Sequence, residues 1–298
     1  MKENKNLVSI ILNCYNGEKY LEDALKTVIN QSYDNWELIF WDNRSTDNSK
    51  KIFDSFKSEK FRYFYSNKHT PLYEARNLAL KECRGKYIAF IDADDYWETN
   101  KLEKQISLFE NKRVGVVYGN LWIYNEKLKK KKLFSKNLLL KGKVFDKIFS
   151  DYKIGVITSV LKKETLIQNN IKFESSYNHI GDFDLFIKLS MICEFDAIQE
   201  PVATYRVHGE NLSLKNREKE IIEMKHWHKT NKKILNKSQE TEYMIKIYSR
   251  EFINLKLNKS FKETLNFFLK RRELQKKIKN YFLLFIPLFI LKKIMWYQ

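Results

Sequence analysis

Apolar positions along the first 120 residues switch between two periods. Leu7–Asn13 (LVSIILN) is a continuous apolar run of strand length, the pattern of a strand covered on both faces. Tyr20–Ile29 places Leu21, Ala24, Leu25 and Val28 at helical spacing. Trp36–Trp41 reads as a second strand, and Phe61–Tyr65, with alternating aromatics, as a third. Leu72–Cys83 reads as a helix, Tyr87–Ile91 as a buried strand and Val114–Tyr118 as a further strand. This alternation predicts an α/β fold with a mainly parallel central sheet flanked by helices. Ligands of such sheets sit beyond the carboxyl ends of the strands. The residues just after Leu12, Trp41 and Ile91 are therefore the first candidates for chemistry.

All three positions are polar. Asn13-Cys14-Tyr15-Asn16-Gly17 follows the first strand, Asp42-Asn43-Arg44-Ser45-Thr46-Asp47 the second, and Asp92-Ala93-Asp94-Asp95 the fourth. Taken singly, each loop also fits a plain turn or helix cap, with Ser45 or Thr46 capping the helix that follows. Three on one sheet edge point to a ligand site. The Asp-Ala-Asp tripeptide is the sharpest feature. Three carboxylates within four residues repel one another unless a cation or a proton shares the site. Hard divalent ions, Mg²⁺ or Mn²⁺, take carboxylate and phosphate oxygens together. No Walker loop, GxGxxG, HExxH or Cys/His cluster occurs, so P-loop, dinucleotide and zinc chemistry have no support.

Composition narrows the class. Hydrophobic residues make up 43% of 298, enough for a large core and too many for a disordered tail. The net charge of +18 favours an anionic partner. From Glu210 onward 21 Lys or Arg stand against 9 Asp or Glu, so two thirds of the excess lies in the last third of the chain. That shift marks a helical, basic C-terminal extension over 214–298, after a catalytic part over 1–213 whose halves meet near 120. Tyr281–Leu291 (YFLLFIPLFIL) is too short to span a bilayer and is broken by Pro287. With its flanking lysines and aromatics, 281–297 fits a segment lying in an anionic membrane surface, or else a last helix docked on the catalytic part. Lys127–Lys132 (KLKKKK) reads as a solvated hairpin tip, and His226 and His228, two apart on a helix, do not form a metal pair. Cys14, Cys83 and Cys193 form no CxxC pair and the N-terminus has no signal-peptide pattern, which places the chain in the cytoplasm.

Four segments in order resemble family-2 glycosyltransferases of the GT-A fold. They are VSIILNCYNGEKYLEDALKTVINQSYDNWELIFWDNRSTDNS, LYEARNLALKECRGKYIAFIDADDYW, FESSYNHIGDFDLFIKLS and YRVHGENLS, spread over roughly residues 7–213. The resemblance implies a nucleotide-sugar donor, with a UDP-sugar favoured. Tyr15 would stack on the base, with Asn13 beside it on the same loop. The family usually ends its second strand in two acids, the second accepting from a uracil N–H; here the pair is Asp42-Asn43, and Asn43 accepts only through an amide oxygen. Arg76 would sit near the nucleotide, Asp92 would reach the ribose, Ala93 lies between the two acids, and Asp94 would bind Mn²⁺ or Mg²⁺ bridging the diphosphate.

In the same resemblance Asp182, in IGDFDLF, is the catalytic base, with Asp184 as a supporting carboxylate. A helix N-cap is the alternative for Asp182. In Tyr205-Arg206-Val207-His208, His208 is assigned to phosphate or metal, and Arg206 to phosphate or structure. The implied reaction is an inverting transfer to a hydroxyl of a glycan or lipid-linked acceptor in surface polysaccharide synthesis, at the inner face of the cell membrane. A non-catalytic nucleotide-sugar-binding relative is the alternative. A glycoside hydrolase is disfavoured because the clustered acids are poorly placed to flank a sugar ring, and nucleic-acid binding because no recognition motif accompanies the charge.

Overall fold

The computed structural model describes residues 6–211, 216–271 and 285–287. The chain forms two compact units. One comprises residues up to Ile148 together with Lys153–Arg206; the other comprises Phe149–Tyr152 and the chain from Val207 onward.

The first unit is built on a nine-stranded sheet. Strands β1 (Val8–Cys14), β2 (Trp36–Asp42), β3 (Phe61–Tyr65) and β4 (Tyr87–Asp92) pair in parallel in the order β3-β2-β1-β4. Helices α1 (Leu21–Ile29), α2 (Ser49–Ser55) and α3 (Leu72–Glu82) are the crossovers. Every residue of β1 and β2 is buried, which explains their unbroken apolar sequence. The helices contribute narrow apolar stripes: α1 buries Leu21, Ala24, Leu25 and Val28, the four positions spaced for it in the sequence.

Beyond β4 the sheet changes character. After the two-residue β5 (Tyr96–Trp97) and α4 (Lys101–Ser107) come β6 (Val114–Asn125), β7 (Lys130–Leu133), α5 (Phe145–Ile148), β8 (Val160–Lys162), α6 (Lys163–Gln168), α7 (Gly181–Ser190) and β9 (Glu194–Val207). Strand β8 runs antiparallel to β4 and β6, β7 to β6, and β5 to β9. The parallel character expected from the sequence thus holds for the first four strands, and antiparallel pairing extends the sheet. Strand β6 runs seven residues past the expected Tyr118 and turns back into β7, with Lys127–Lys131 exposed at the tip as anticipated.

Register aligns the strand ends. Asn13 on β1 faces Trp41 on β2 and Asp92 on β4, and Cys14 faces Asp42. At the opposite edge a buried polar knot closes the sheet. Ser9 Oγ donates to Glu37 at 2.6 Å, Gly85 N donates to Ser9 Oγ at 2.7 Å, and Arg62 pairs with Glu37 at 2.9 Å. A Cβ on Gly85 would lie 2.6 Å from the Leu7 carbonyl oxygen, so only glycine fits that crossing.

The second unit is helical, as the basic extension predicted. It contains α8 (Arg217–Asn231), α9 (Lys237–Asn258) and α10 (Phe261–Leu269). Its core joins Trp227 to Tyr243 at 4.9 Å between ring centroids, with Phe149 packing on both. Asn236 with Gln239 and Ser260 with Glu263 form capping boxes that start α9 and α10. Apart from 285–287, the segment 281–297 lies outside the described residues. Among the described residues no helix is long and apolar enough to cross a membrane.

Candidate active site

The carboxyl edge of the parallel strands carries the site, and its first two loops are laced together. Asn16, at φ 52°, donates its N–H to Ser45 Oγ at 3.0 Å and accepts from Thr46 N at 2.8 Å. Gly17 N donates to Ser49 Oγ at 2.9 Å. Ser45 and Thr46 therefore do not cap the following helix as expected from the sequence. They face Asn16, while Asp47 Oδ1 receives Ser49 N at 3.0 Å at the start of α2. The interlocked loops hold Asn13 and Tyr15 in place.

Asn13 is buried, yet neither atom of its side-chain amide has a hydrogen-bond partner among the described residues. Buried polar atoms are rarely left so, and a bound ligand or water is the usual partner. Tyr15 is the reverse, an aromatic ring 53% exposed at a strand end. It packs on His69 with ring centroids 4.2 Å apart and planes inclined by 48°.

Asp42 is occupied by its own surroundings. Ser45 N donates to Oδ1 at 2.7 Å and Tyr63 hydroxyl to Oδ2 at 2.7 Å. Burial and the neighbouring Asp42 carboxylate push the Tyr63 phenol far up, so it remains a donor. Asn43 is likewise committed. Its amide oxygen accepts from Thr70 N at 3.2 Å and from Thr70 Oγ1 at 3.0 Å, and its nitrogen donates to the Thr70 carbonyl at 2.7 Å. An amide oxygen has two lone pairs, and Thr70 takes both. In this arrangement Asn43 pins the loop after β3.

Arg76 is buried on α3, and its Nη2 meets Asp92 Oδ1 at 2.6 Å. The rings of Tyr73, Phe90 and Phe173 lie 5.4–6.0 Å from the guanidinium. Asp92, the Tyr73 phenol and Asp182 all favour its charged form, which outweighs the cost of burial. Arg76 thus orients Asp92 rather than reaching outward.

Past Asp92 the chain turns sharply. Ala93 packs so closely on the first loop that a Cβ on Gly17 would lie 3.1 Å from its own. Asp94 is half-buried on this turn, and Asp95 is wholly buried. Asp95 Oδ1 receives Arg206 N at 2.8 Å, and Oδ2 has no partner among the described residues. Burial, then the charges of Asp94 and Asp92, push its carboxyl well above the usual range. This turn is a concentration of hard oxygen donors in a strongly negative field, and a divalent cation fits it on both counts. Among the described residues no three His, Cys, Asp or Glu side chains converge as a preformed cage. A cation here would take its remaining ligands from a substrate's phosphates and water, as Mg²⁺ commonly does.

Asp182 is the second residue of α7, and its N-cap is Ile180, so the side chain does not cap the helix. Tyr73 hydroxyl donates to Asp182 Oδ1 at 3.1 Å. Burial raises the carboxyl above its ordinary value; Arg76, the helix N–H groups and Tyr73 hold the rise in check. Asp184, expected as a supporting carboxylate, is instead buried and paired with Lys188 at 2.6 Å. Asp92, Arg76, Tyr73 and Asp182 therefore form one linked set, although the two acids belong to segments 90 residues apart.

Arg206 is also engaged. It donates to Asp23 on α1 at 2.7 Å, and its guanidinium lies 4.6 Å from the Tyr20 ring and 5.3 Å from Tyr96. Of its two readings, the structural one matches these contacts. His208 belongs to the second unit, where its N–H donates to Asn211 at 2.6 Å and its Nδ1 accepts from Glu210 N at 3.2 Å. Tyr73, His69, Tyr63 and Asp95 were not assigned from sequence. Only the Tyr73–Arg76 spacing of three on one helix hinted that those two share a face.

A sheet edge of this build, with a helix-borne carboxylate tied to it, defines a glycosyltransferase of the GT-A class. The chain belongs to glycosyl transferase family 2, whose pattern matches residues 9–189. It is 32% identical over 183 residues to the Escherichia coli UDP-Glc:alpha-D-GlcNAc-diphosphoundecaprenol beta-1,3-glucosyltransferase WfgD, covering 61% of this chain and 69% of that one. It is 39% identical over 104 residues to the putative teichuronic acid biosynthesis glycosyltransferase TuaG of Bacillus subtilis, covering 34% and 41%. Among solved structures, S. aureus TarS in complex with UDP superposes with a TM-score of 0.58 at 17% identity, over 82% of this chain and 71% of that one. Mannosyltransferase PcManGT from Pyrobaculum calidifontis, with GDP-Man and Mn²⁺, gives 0.58 at 14% identity, over 93% and 82%. At these identities the two structures establish the fold.

Proposed function

We propose that this glycosyltransferase moves a sugar from a nucleotide-sugar, with UDP as the favoured carrier, to a hydroxyl of a glycan or lipid-linked acceptor in surface polysaccharide synthesis. The observation that carries the reading is the linkage of Asp92 to Asp182 through Arg76 and Tyr73. It ties a nucleotide-side acid and an acceptor-side acid into one constellation. The names of WfgD and TuaG support a lipid-linked or polymeric acceptor, and the UDP complex of TarS supports the donor class.

In this mechanism Asn13 and Tyr15 receive the nucleoside, and Asp92, held by Arg76, receives the ribose. The acceptor oxygen attacks the anomeric carbon while the bond to the diphosphate oxygen breaks, and Asp182 takes the acceptor's proton. A single displacement inverts the anomeric configuration. Asp94 would hold a divalent ion, which when bound neutralises charge on the departing diphosphate. Action on a lipid-linked acceptor would bring the chain to the inner face of the cell membrane as a peripheral protein. The test is transfer from a panel of UDP-, GDP- and dTDP-sugars to diphospholipid-linked glycans, with Mn²⁺ or Mg²⁺. Transfer by the wild type that falls by about 10²–10⁴-fold in Asp182→Asn, at unchanged donor affinity, supports the reading. A folded sample that binds none of the donors overturns it.

A further inference from the structure

We propose that the lysine-rich hairpin between β6 and β7 docks the catalytic part of the chain on an anionic phospholipid bilayer. The inference rests on the proposed lipid-linked acceptor and names the surface that would meet its membrane. Residues 1–209 hold 34 Lys or Arg against 28 Asp or Glu, and 8 of those lysines lie between Glu126 and Asp146, where no acid occurs. Outside that stretch the balance is 26 against 28, so the positive charge of the catalytic part is gathered in one place.

The fold sets this charge on the edge that carries the site. Strands β4 and β6 both run antiparallel to β8, so β6 points the same way as the parallel strands, and the hairpin at its far end stands on the edge of Asn13, Asp42 and Asp92. Glu126, at the base of the hairpin, accepts from the Tyr20 hydroxyl at 2.6 Å, just past the loop of Asn13 and Tyr15. The Tyr20 ring lies 4.6 Å from the guanidinium of Arg206, whose backbone N–H bonds Asp95. The tip is thus rooted in the same framework as the Asp-Ala-Asp turn.

At the tip Lys129 turns the chain at φ 49°, and Asn125 Oδ1 accepts from Leu128 N at 2.9 Å. Residues 127–131 are all exposed. Lys131 stands 3.9 Å from Glu98, and Lys141, farther along, pairs with Asp196 at 2.7 Å. Crowded like charges repel in the free protein, and a negative surface relieves that repulsion. The kind of cation points to the occupant. None of the eight is arginine, so the planar fork that grips a single phosphate through two bonds is missing. Lysines are compact point charges on apolar stems, suited to the spread negative charge of a bilayer. Leu128 is exposed among them, and Phe134 and Leu138 are exposed after the return strand. A bilayer interface takes up such side chains, whereas a nucleic-acid backbone gives Leu128 nothing to meet.

The probes are vesicles of phosphatidylcholine, and of phosphatidylcholine mixed equally with phosphatidylglycerol, sedimented with the full chain. One variant combines Lys127→Gln, Lys129→Gln and Lys130→Gln. A second removes the same charge through Lys57→Gln, Lys81→Gln and Lys112→Gln, exposed positions that precede β3, β4 and β6 at the opposite edge of the sheet. Wild type is expected to bind the mixed vesicles and not the neutral ones. Each lysine near such a surface strengthens binding about fivefold, so the hairpin variant should bind about a hundredfold more weakly. The second variant should stay within about threefold of wild type, because charges beyond a Debye length are screened. Melting temperature and UDP affinity with Mn²⁺ should match in all three proteins. The inference is overturned if wild type binds both vesicles alike or neither, if it binds a single-stranded oligonucleotide in preference to the mixed vesicles, or if the second variant loses as much as the first. A hairpin variant that loses UDP along with the vesicles overturns it too. If mixed vesicles hold wild type and hairpin variant alike, the membrane reading stands and only the role of the hairpin falls. If the hairpin carries vesicle binding but no nucleotide binds, the donor reading falls and the docking surface stands.

Discussion

The Tyr73 hydroxyl donates a 3.1 Å hydrogen bond to Asp182, joining the buried face of crossover helix α3 to the first turn of α7. The bond favours the ionised carboxylate, whereas burial favours the acid. As a base, Asp182 acts only when deprotonated, so transfer should rise with pH through its pKa. Because that pKa is raised, the acid limb of kcat/KM is expected above the ordinary aspartate range. Tyr73→Phe removes a stabilising donor and should move the limb to still higher pH. Asp182→Asn should lower kcat by about 10²–10⁴-fold with donor affinity unchanged. A pH–rate profile of the three proteins checks this; an identical limb in Tyr73→Phe would detach Tyr73 from the base.

Gly181 opens the helix that carries Asp182, and a Cβ there would stand 2.5–2.6 Å from three atoms of the Tyr73 ring. Alanine is the better helix former by up to about 1 kcal/mol, but overpacking against a buried ring costs about 1–3 kcal/mol. Overpacking should win. Gly181→Ala is expected to lower the melting temperature and to reduce kcat more than donor affinity, since the displaced ring carries the hydroxyl that touches Asp182. Adding Tyr73→Leu should restore stability without restoring rate.

Asp94 lies between two other acids on one turn, in a field that raises the carboxyl of Asp95. Removing its charge should relieve that repulsion while deleting the ligand proposed for the ion. Asp94→Ala is therefore expected to be no less stable than wild type by thermal melting. In calorimetry, Mn²⁺ should tighten UDP in the wild type and leave its affinity unchanged in the variant. A variant whose UDP affinity still responds fully to Mn²⁺ would place the ion elsewhere.

Strands β1, β2 and β4 were legible in the sequence because a strand buried on both faces is written as an uninterrupted apolar run. Strand β9 was not, since its half-exposed residues break any such run. The same contrast divides the site. Asn13, Tyr15 and the Asp-Ala-Asp turn follow directly from where strands end. The partners of Arg76 and Asp182 do not, because they depend on which side chains the buried face of α3 meets, and Tyr73 is 109 residues from its acceptor. Asn43 shows the converse. Its residue type suits base recognition, and only the contacts reveal that Thr70 has claimed it.

Lys101 offers a test of the core away from the chemistry. It is wholly buried on α4, where its ammonium bonds Gln105 Oε1 at 2.6 Å and lies 4.2 Å from the Trp97 ring centroid. Among the described residues no carboxylate pairs with it, and burial drives its pKa well below that of a free lysine. The unfolded chain keeps its proton up to about pH 10.4, whereas the folded chain releases it earlier. Between those two pKa values the unfolded state binds more protons, so this group makes stability rise with pH, by at most about 1.4 kcal/mol per unit. Lys101→Met should remove that contribution. It also strips the Gln105 oxygen of its donor, at a cost of about 1–3 kcal/mol, while the Gln105 nitrogen keeps its bonds to the Val117 and Thr158 carbonyls. The variant is therefore expected to lose ground to the wild type as pH climbs from 7 to 9.5, read as a widening gap between their urea midpoints. A gap that stays constant or narrows would mean that Lys101 keeps its charge in the core.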